Sequence, residues 1–157
     1  MPKPLWATAR DPNVDDAGRV ISPVPGVKPG FAFGAHPTPP NRYKNPQNRH
    51  TGCDWPGQQG ARIVMVGNVS EDPAGTVTHV TYDADYGNSV QVRRAGHVWR
   101  FCHLSRVDVE VGQELKANEQ IGLVGQTGHV FGPHLHLELS KSPTWAYNDV
   151  LDPTKGW

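Results

Sequence analysis

From residue 61 onward the chain is cut by Gly, Asn and Asp into short β-branched and aromatic runs, at 61–66, 76–82, 89–93, 98–104, 120–124 and 135–139. Runs of this length and composition read as strands. Their spacing of roughly 8 to 15 residues leaves little room for crossover helices, so neighbouring strands should pair antiparallel. The expected fold is mainly β, an antiparallel sandwich or half-open barrel with long loops and little helix. Arg94-Ala95-Gly96 is the expected tip of one hairpin.

The first third of the chain has a different texture. Ten of the 15 prolines precede residue 49, with no periodic hydrophobic pattern. Its apolar residues, Trp6, Val20, Ile21, Phe31 and Phe33, are scattered. Residues 1–48 are therefore expected to be a Pro- and Gly-rich arm that packs on a core supplied by 49–157, the whole forming one structural domain.

The 15 basic and 15 acidic side chains cancel, and no Lys/Arg run exceeds two residues, so no electrostatic footprint for nucleic acid exists. The longest apolar stretch, 63–66, is far short of the ~20 residues that cross a bilayer. The first residues show no secretory h-region. A soluble monomer is expected, without nucleic acid or membrane partners.

Chemistry concentrates in the histidines. Those at 50, 103, 134 and 136 fall in three windows: His50-Thr-Gly-Cys-Asp54, Phe101-Cys-His103-Leu-Ser, and Gly132-Pro-His134-Leu-His136-Leu-Glu138. Residues two apart on a strand share a face, so His134 and His136 stand side by side while Leu135, Leu137 and Leu139 face the core. A lone His-x-His is more often structural than metal-binding; the three windows together carry the argument. Two imidazoles and a carboxylate suit a catalytic Zn²⁺, one per chain, with a fourth position left to water. The candidate ligands are His50, Asp54 and one of His134 and His136. The remaining member of the pair and His103 would handle protons or the oxyanion, which makes hydrolysis the natural reaction.

The combined pattern resembles the lysostaphin/LytM-type zinc endopeptidases of bacterial cell walls. The likeness runs through the first window and Gly60-Ala-Arg-Ile-Val-Met-Val-Gly67, then Tyr86-Gly-Asn-Ser-Val-Gln-Val and His103-Leu-Ser. It continues through Asn118-Glu-Gln-Ile-Gly-Leu-Val-Gly125-Gln-Thr-Gly128 and Gly132-Pro-His-Leu-His-Leu-Glu138 to Leu151-Asp-Pro, with a weaker echo at Phe31-Ala-Phe-Gly34.

The resemblance implies a metal set of His50, Asp54 and His136, with His103 and His134 in the catalytic places and bacterial peptidoglycan as substrate. Tyr43 is a possible counterpart of an oxyanion-stabilising tyrosine, Trp55 is the tryptophan expected to touch substrate, and His129 is a candidate groove residue. Glu138 shares a face with His134 and His136 but lacks a helical His-Glu-x-x-His context, so a supporting or ion-pair role is expected. Cys102 is expected to turn away from His103 and Cys53 from Asp54, so that two free thiols meet behind the site. The competing readings are a non-catalytic relative that binds wall peptide or regulates another hydrolase, and a structural phage-tail or wall-binding module. Such relatives lose ligands, and all three positions are filled here. A wall hydrolase without a visible leader resembles a bacteriophage endolysin made in the host cytoplasm and acting on the wall.

Overall fold

The computed structural model describes residues 11–39, 41–155 and 157; Trp6 lies outside them. Nine strands form among the described residues: β1 (Cys53–Pro56), β2 (Arg62–Val64), β3 (Gly75–Asp83), β4 (Gly87–Arg94), β5 (His97–Val107), β6 (Glu114–Leu115), β7 (Gln120–Val124), β8 (His134–Ser140) and β9 (Val150–Leu151). They make one antiparallel sheet in the order β1-β8-β5-β4-β3-β6, with β7 joining β2 to β5 and β9 beside β8. Two single 3₁₀ turns, Tyr147–Asp149 and Pro153–Lys155, are the only helical segments among the described residues. The mainly β, half-open architecture is the one expected from the strand spacing. At the β4–β5 tip, Ala95 and Gly96 both have positive φ, 49° and 78°, as a two-residue hairpin turn with right-handed strand twist requires.

β5 organises the sheet because it changes partner midway. Val98–Cys102 pair with β8, whereas Leu104–Val107 pair with β7. His103 sits at the change. On the β4 side Asn88 opposes Leu104 and Val90 opposes Phe101, so Cys102 and His103 together face the single residue Ser89. This is a β-bulge, and His103 carries the left-handed backbone of such a site, with φ 69°.

The bulge corrects the expectation for the cysteines, which assumed unbroken alternation. Directly opposed residues of an antiparallel pair project to one face. Cys53 opposes Leu137 and belongs to the hydrophobic core. Cys102 opposes His136, on the polar side. Both are buried free thiols, but they lie on opposite faces of the sheet and do not meet.

Behind β8, Leu135, Leu137 and Leu139 are buried as the alternation predicts, each contributing about 1.5–3 kcal/mol of transfer free energy. They pack with Trp55, Trp99, Phe101 and Leu104, and Trp157 caps the cluster with its ring 5.8 Å from Trp99. From the first third of the chain, Val20 and Val24 enter this core, while Ile21 and Phe31 stay exposed.

Candidate metal centre

The polar face of β8 carries His134, His136 and Glu138, and β1 brings Asp54 directly opposite His136. His50 reaches the same point from the loop before β1. Residues 30–35 run alongside residues 50–54 and hold that loop: Gly30 donates to the Asp54 carbonyl, Asp54 to Phe31, Gly34 to His50 and His50 to Ala35, at 2.7 to 3.0 Å. Gly52 is required by this approach, since a Cβ there would lie 2.3 Å from the Leu137 carbonyl oxygen.

Three donor atoms converge. His136 Nδ1 is 2.8 Å from Asp54 Oδ1 and 3.1 Å from His50 Nε2, and His50 Nε2 is 3.3 Å from Asp54 Oδ1. Ligand atoms about 2.0–2.1 Å from a tetrahedral zinc stand roughly 3.3–3.4 Å apart, so the triangle needs little opening to hold one. The other nitrogen of each imidazole is already engaged. His50 Nδ1 donates to the Ala32 carbonyl at 3.0 Å, and His136 Nε2 faces Glu138 Oε1 at 2.8 Å. Once the proton shared with Asp54 leaves, His50 Nε2 and His136 Nδ1 are the nitrogens that offer lone pairs to a cation, and the residues present fit zinc. Of His134 and His136, which the motif alone left open, it is His136 that joins the cluster.

The electrostatics match this donor set. Burial would raise the Asp54 pKa, but hydrogen bonds from His136 and His50 outweigh it and hold the carboxylate well below its usual range. Burial likewise opposes charge on His136, yet hydrogen bonds to Asp54 and Glu138 lift its pKa to about 9.

His103 and His134 flank the triangle, with ring centroids 4.9 Å apart. Each has its Nδ1 at a backbone carbonyl oxygen, His103 at Thr127 (2.8 Å) and His134 at Gly132 (3.0 Å), leaving Nε2 as the free nitrogen. Burial pushes the His103 pKa down to about 4, helped by the neighbouring charge of His136, so this imidazole is neutral near pH 7. The Tyr43 ring stacks on His50 at 5.4 Å, and burial together with Asp54 pushes its phenol up to about 12.

These groups lie in the floor of a groove of about 1160 Å³. Its lining includes Arg42, Tyr43 and Lys44 from the loop before His50, and His129 and Phe131 from the loop before β8. His129 lines the groove. Trp55 does not: it is 2% exposed, opposes Leu135 and packs in the core, its ring 6.3 Å from Trp157. The alternation that buries Cys53 buries Trp55 two residues later, a signal available from the sequence. Tyr86, Phe131, Trp145 and Tyr147 line the groove without having been singled out. Phe131, 87% exposed in a Gly/Pro-bounded loop, is the one whose setting could have marked it.

No helix among the described residues is long and apolar enough to cross a membrane. Residues 48–153 match the sequence profile of Peptidase family M23. The peptidoglycan DD-endopeptidase ShyC of Vibrio cholerae serotype O1 is 34% identical over 90 residues, which cover 57% of this chain and 19% of that protein. The chain spans less than a third of the length of the curated relatives it matches first. In fold it is similar to the catalytic domain of the antimicrobial peptidase lysostaphin from Staphylococcus simulans, with a TM-score of 0.67 at 24% identity over 81% of this chain and 89% of that one. A zinc-containing peptidase from Vibrio cholerae superposes with a TM-score of 0.62 at 26% identity, covering 91% of this chain and 38% of that one. With the profile spanning well over half of its residues, and a His-Asp-His cluster able to hold a metal ion, the chain belongs to peptidase family M23, the metallopeptidases.

Proposed function

We propose that this domain is a zinc-dependent endopeptidase that cleaves peptide bonds in the stem peptides or cross-bridges of bacterial peptidoglycan. The observation that carries the reading is the convergence of His50 Nε2, Asp54 Oδ1 and His136 Nδ1 on the floor of an open groove, with two further histidines beside them. The similarity to ShyC supports the substrate class.

When bound at this triangle, a zinc ion supplies Lewis-acid stabilisation of negative charge and activation of water. The remaining chemistry falls to the chain itself. The neutral His103, its Nδ1 proton tied to Thr127, presents Nε2 as a base that can take a proton and deliver it to the departing amine. His134, with Nδ1 tied to Gly132, has Nε2 3.7 Å from Asp54 Oδ1 and beside the reacting centre. The Tyr43 phenol stays protonated at neutral pH and so serves as a hydrogen-bond donor to the carbonyl oxygen as charge develops there.

The test is incubation of defined muropeptides with the protein, identifying each newly exposed amine by mass spectrometry. Cleavage that stops with a chelator and returns with zinc is expected. Zinc-loaded protein that binds these fragments without cutting any of them overturns the proposal.

A further inference from the structure

The polar face of the sheet continues beyond the metal triangle into a buried charged group that the hydrolytic chemistry does not use. Glu138 is fully buried, and its two oxygens have separate partners. Oε1 accepts from His136 Nε2 at 2.8 Å and from the Thr51 hydroxyl at 2.7 Å. Oε2 accepts from Arg100 Nε at 2.9 Å and from Arg100 Nη2. The register makes this arrangement a property of the sheet, because Arg100 on β5 directly opposes Glu138 on β8. The guanidinium is itself clamped, 4.1 Å from the Tyr86 ring centroid and 4.0 Å from that of Trp145.

A histidine that binds a cation through Nδ1 must carry its proton on Nε2, and its ring must not swing. A carboxylate fixed on the far nitrogen secures both. Glu138 can do so only if its own charge is held in place, and without Arg100 it would be an uncompensated buried anion. Arg100 matches that need better than lysine would: its fork grips one carboxylate oxygen while its flat faces stack on two aromatic rings.

We propose that Glu138 and Arg100 are positioning residues for the metal centre, fixing the tautomer and orientation of His136 so that Nδ1 points at the cation. The inference rests on the zinc peptidase reading and names the part of the fold that tunes its metal affinity. A purely structural ion pair would support the sheet and leave zinc affinity untouched.

The experiment measures zinc affinity by competition with a chromogenic chelator for the wild type, Glu138→Gln, and the double variant Arg100→Met/Glu138→Gln. The double variant removes both charges together, so that a folded protein remains even if the single change leaves Arg100 unpaired and unfolds the sheet. Near-UV circular dichroism establishes folding in each case, and the cobalt-substituted proteins report ligand geometry through their visible absorption. Zinc affinity about 10- to 100-fold below wild type is expected in the folded variants, with altered cobalt bands. Affinity within about threefold of wild type, with unchanged cobalt bands, overturns the positioning role while leaving the peptidase reading intact. A wild type that takes up no zinc overturns both.

Discussion

The carbonyl oxygen of Thr127 lies 2.8 Å from His103 Nδ1, and the Thr127 hydroxyl donates to the Leu104 carbonyl at 2.8 Å. One residue of the loop after β7 thus clamps the bulge of β5 and sets the tautomer of the histidine it presents. Thr127 is in turn pressed against Gly87, where a Cβ would come within 2.4 Å of the threonine carbonyl oxygen. In the proposed mechanism holding the metal and moving protons fall to different residues, because His103 contributes no atom to the triangle of His50, Asp54 and His136.

His103→Ala should therefore keep stoichiometric zinc and lose about 10²- to 10⁴-fold in kcat, the span usual for a general acid–base group. Elemental analysis and steady-state kinetics on one preparation check both halves. Turnover close to wild type would remove His103 from the reaction.

Gly52→Ala should damage the site without touching a ligand. The added methyl would meet the Leu137 carbonyl oxygen at 2.3 Å and His136 Cε1 at 2.9 Å, and neither can yield without moving β8 or the metal-binding ring. Overpacking of this kind costs about 1–3 kcal/mol. A lower denaturation midpoint together with reduced zinc retention is the expected pair of results, read by urea titration and by dialysis against a weak chelator. Unchanged retention would mean that the loop shifts instead of the histidine.

How far residue patterns foretell this molecule depends on whether the determining interaction is local. β7 lies where its composition places it, at Gln120–Val124, and the leucine face of β8 follows from period-two alternation. β1, β6 and β9 have two to four residues each, and pairing with longer neighbours defines them more than their own propensity does; β1 even ends in Pro56. The bulge at His103 is a relation between β4 and β5, so simple alternation misplaces Cys102. The three candidate metal ligands stand out because they fall in two short windows, His50 with Asp54 in one and His136 beside His134 in the other, whose spacing suits a shared cation. Arg100 does not, since its meaning comes from Glu138 on another strand 38 residues away.

Tyr43→Phe isolates the hydroxyl while preserving the ring that stacks on His50. A phenol whose pKa is pushed up to about 12 remains a donor throughout the working pH range. Loss of one oxyanion donor costs about 10²- to 10³-fold in kcat. The expected outcome is a fall of that order with zinc content and KM little changed. A change confined to KM would instead assign Tyr43 to binding the peptide.

Zinc uptake should depend on pH through His136. Without a cation the folded protein holds a proton on this imidazole up to about pH 9, against an ordinary value of 6.5, because Asp54 and Glu138 both accept from it. Between pH 6.5 and 9 the folded state thus binds more protons than the unfolded chain. The stability this confers on chelator-treated protein is fully present below pH 6.5 and is lost as pH rises through 9. His103 does not contribute in this window, since its folded value of about 4 places its linkage between pH 4 and 6.5. Zinc must displace the His136 proton, so its apparent affinity should rise about tenfold per pH unit between roughly pH 6.5 and 9, with one proton released per ion from this residue. Titration calorimetry in two buffers of different ionisation enthalpy counts the protons. Release of none at pH 7 would show that His136 is already neutral before the metal arrives, and that the carboxylates on either side do not hold its charge.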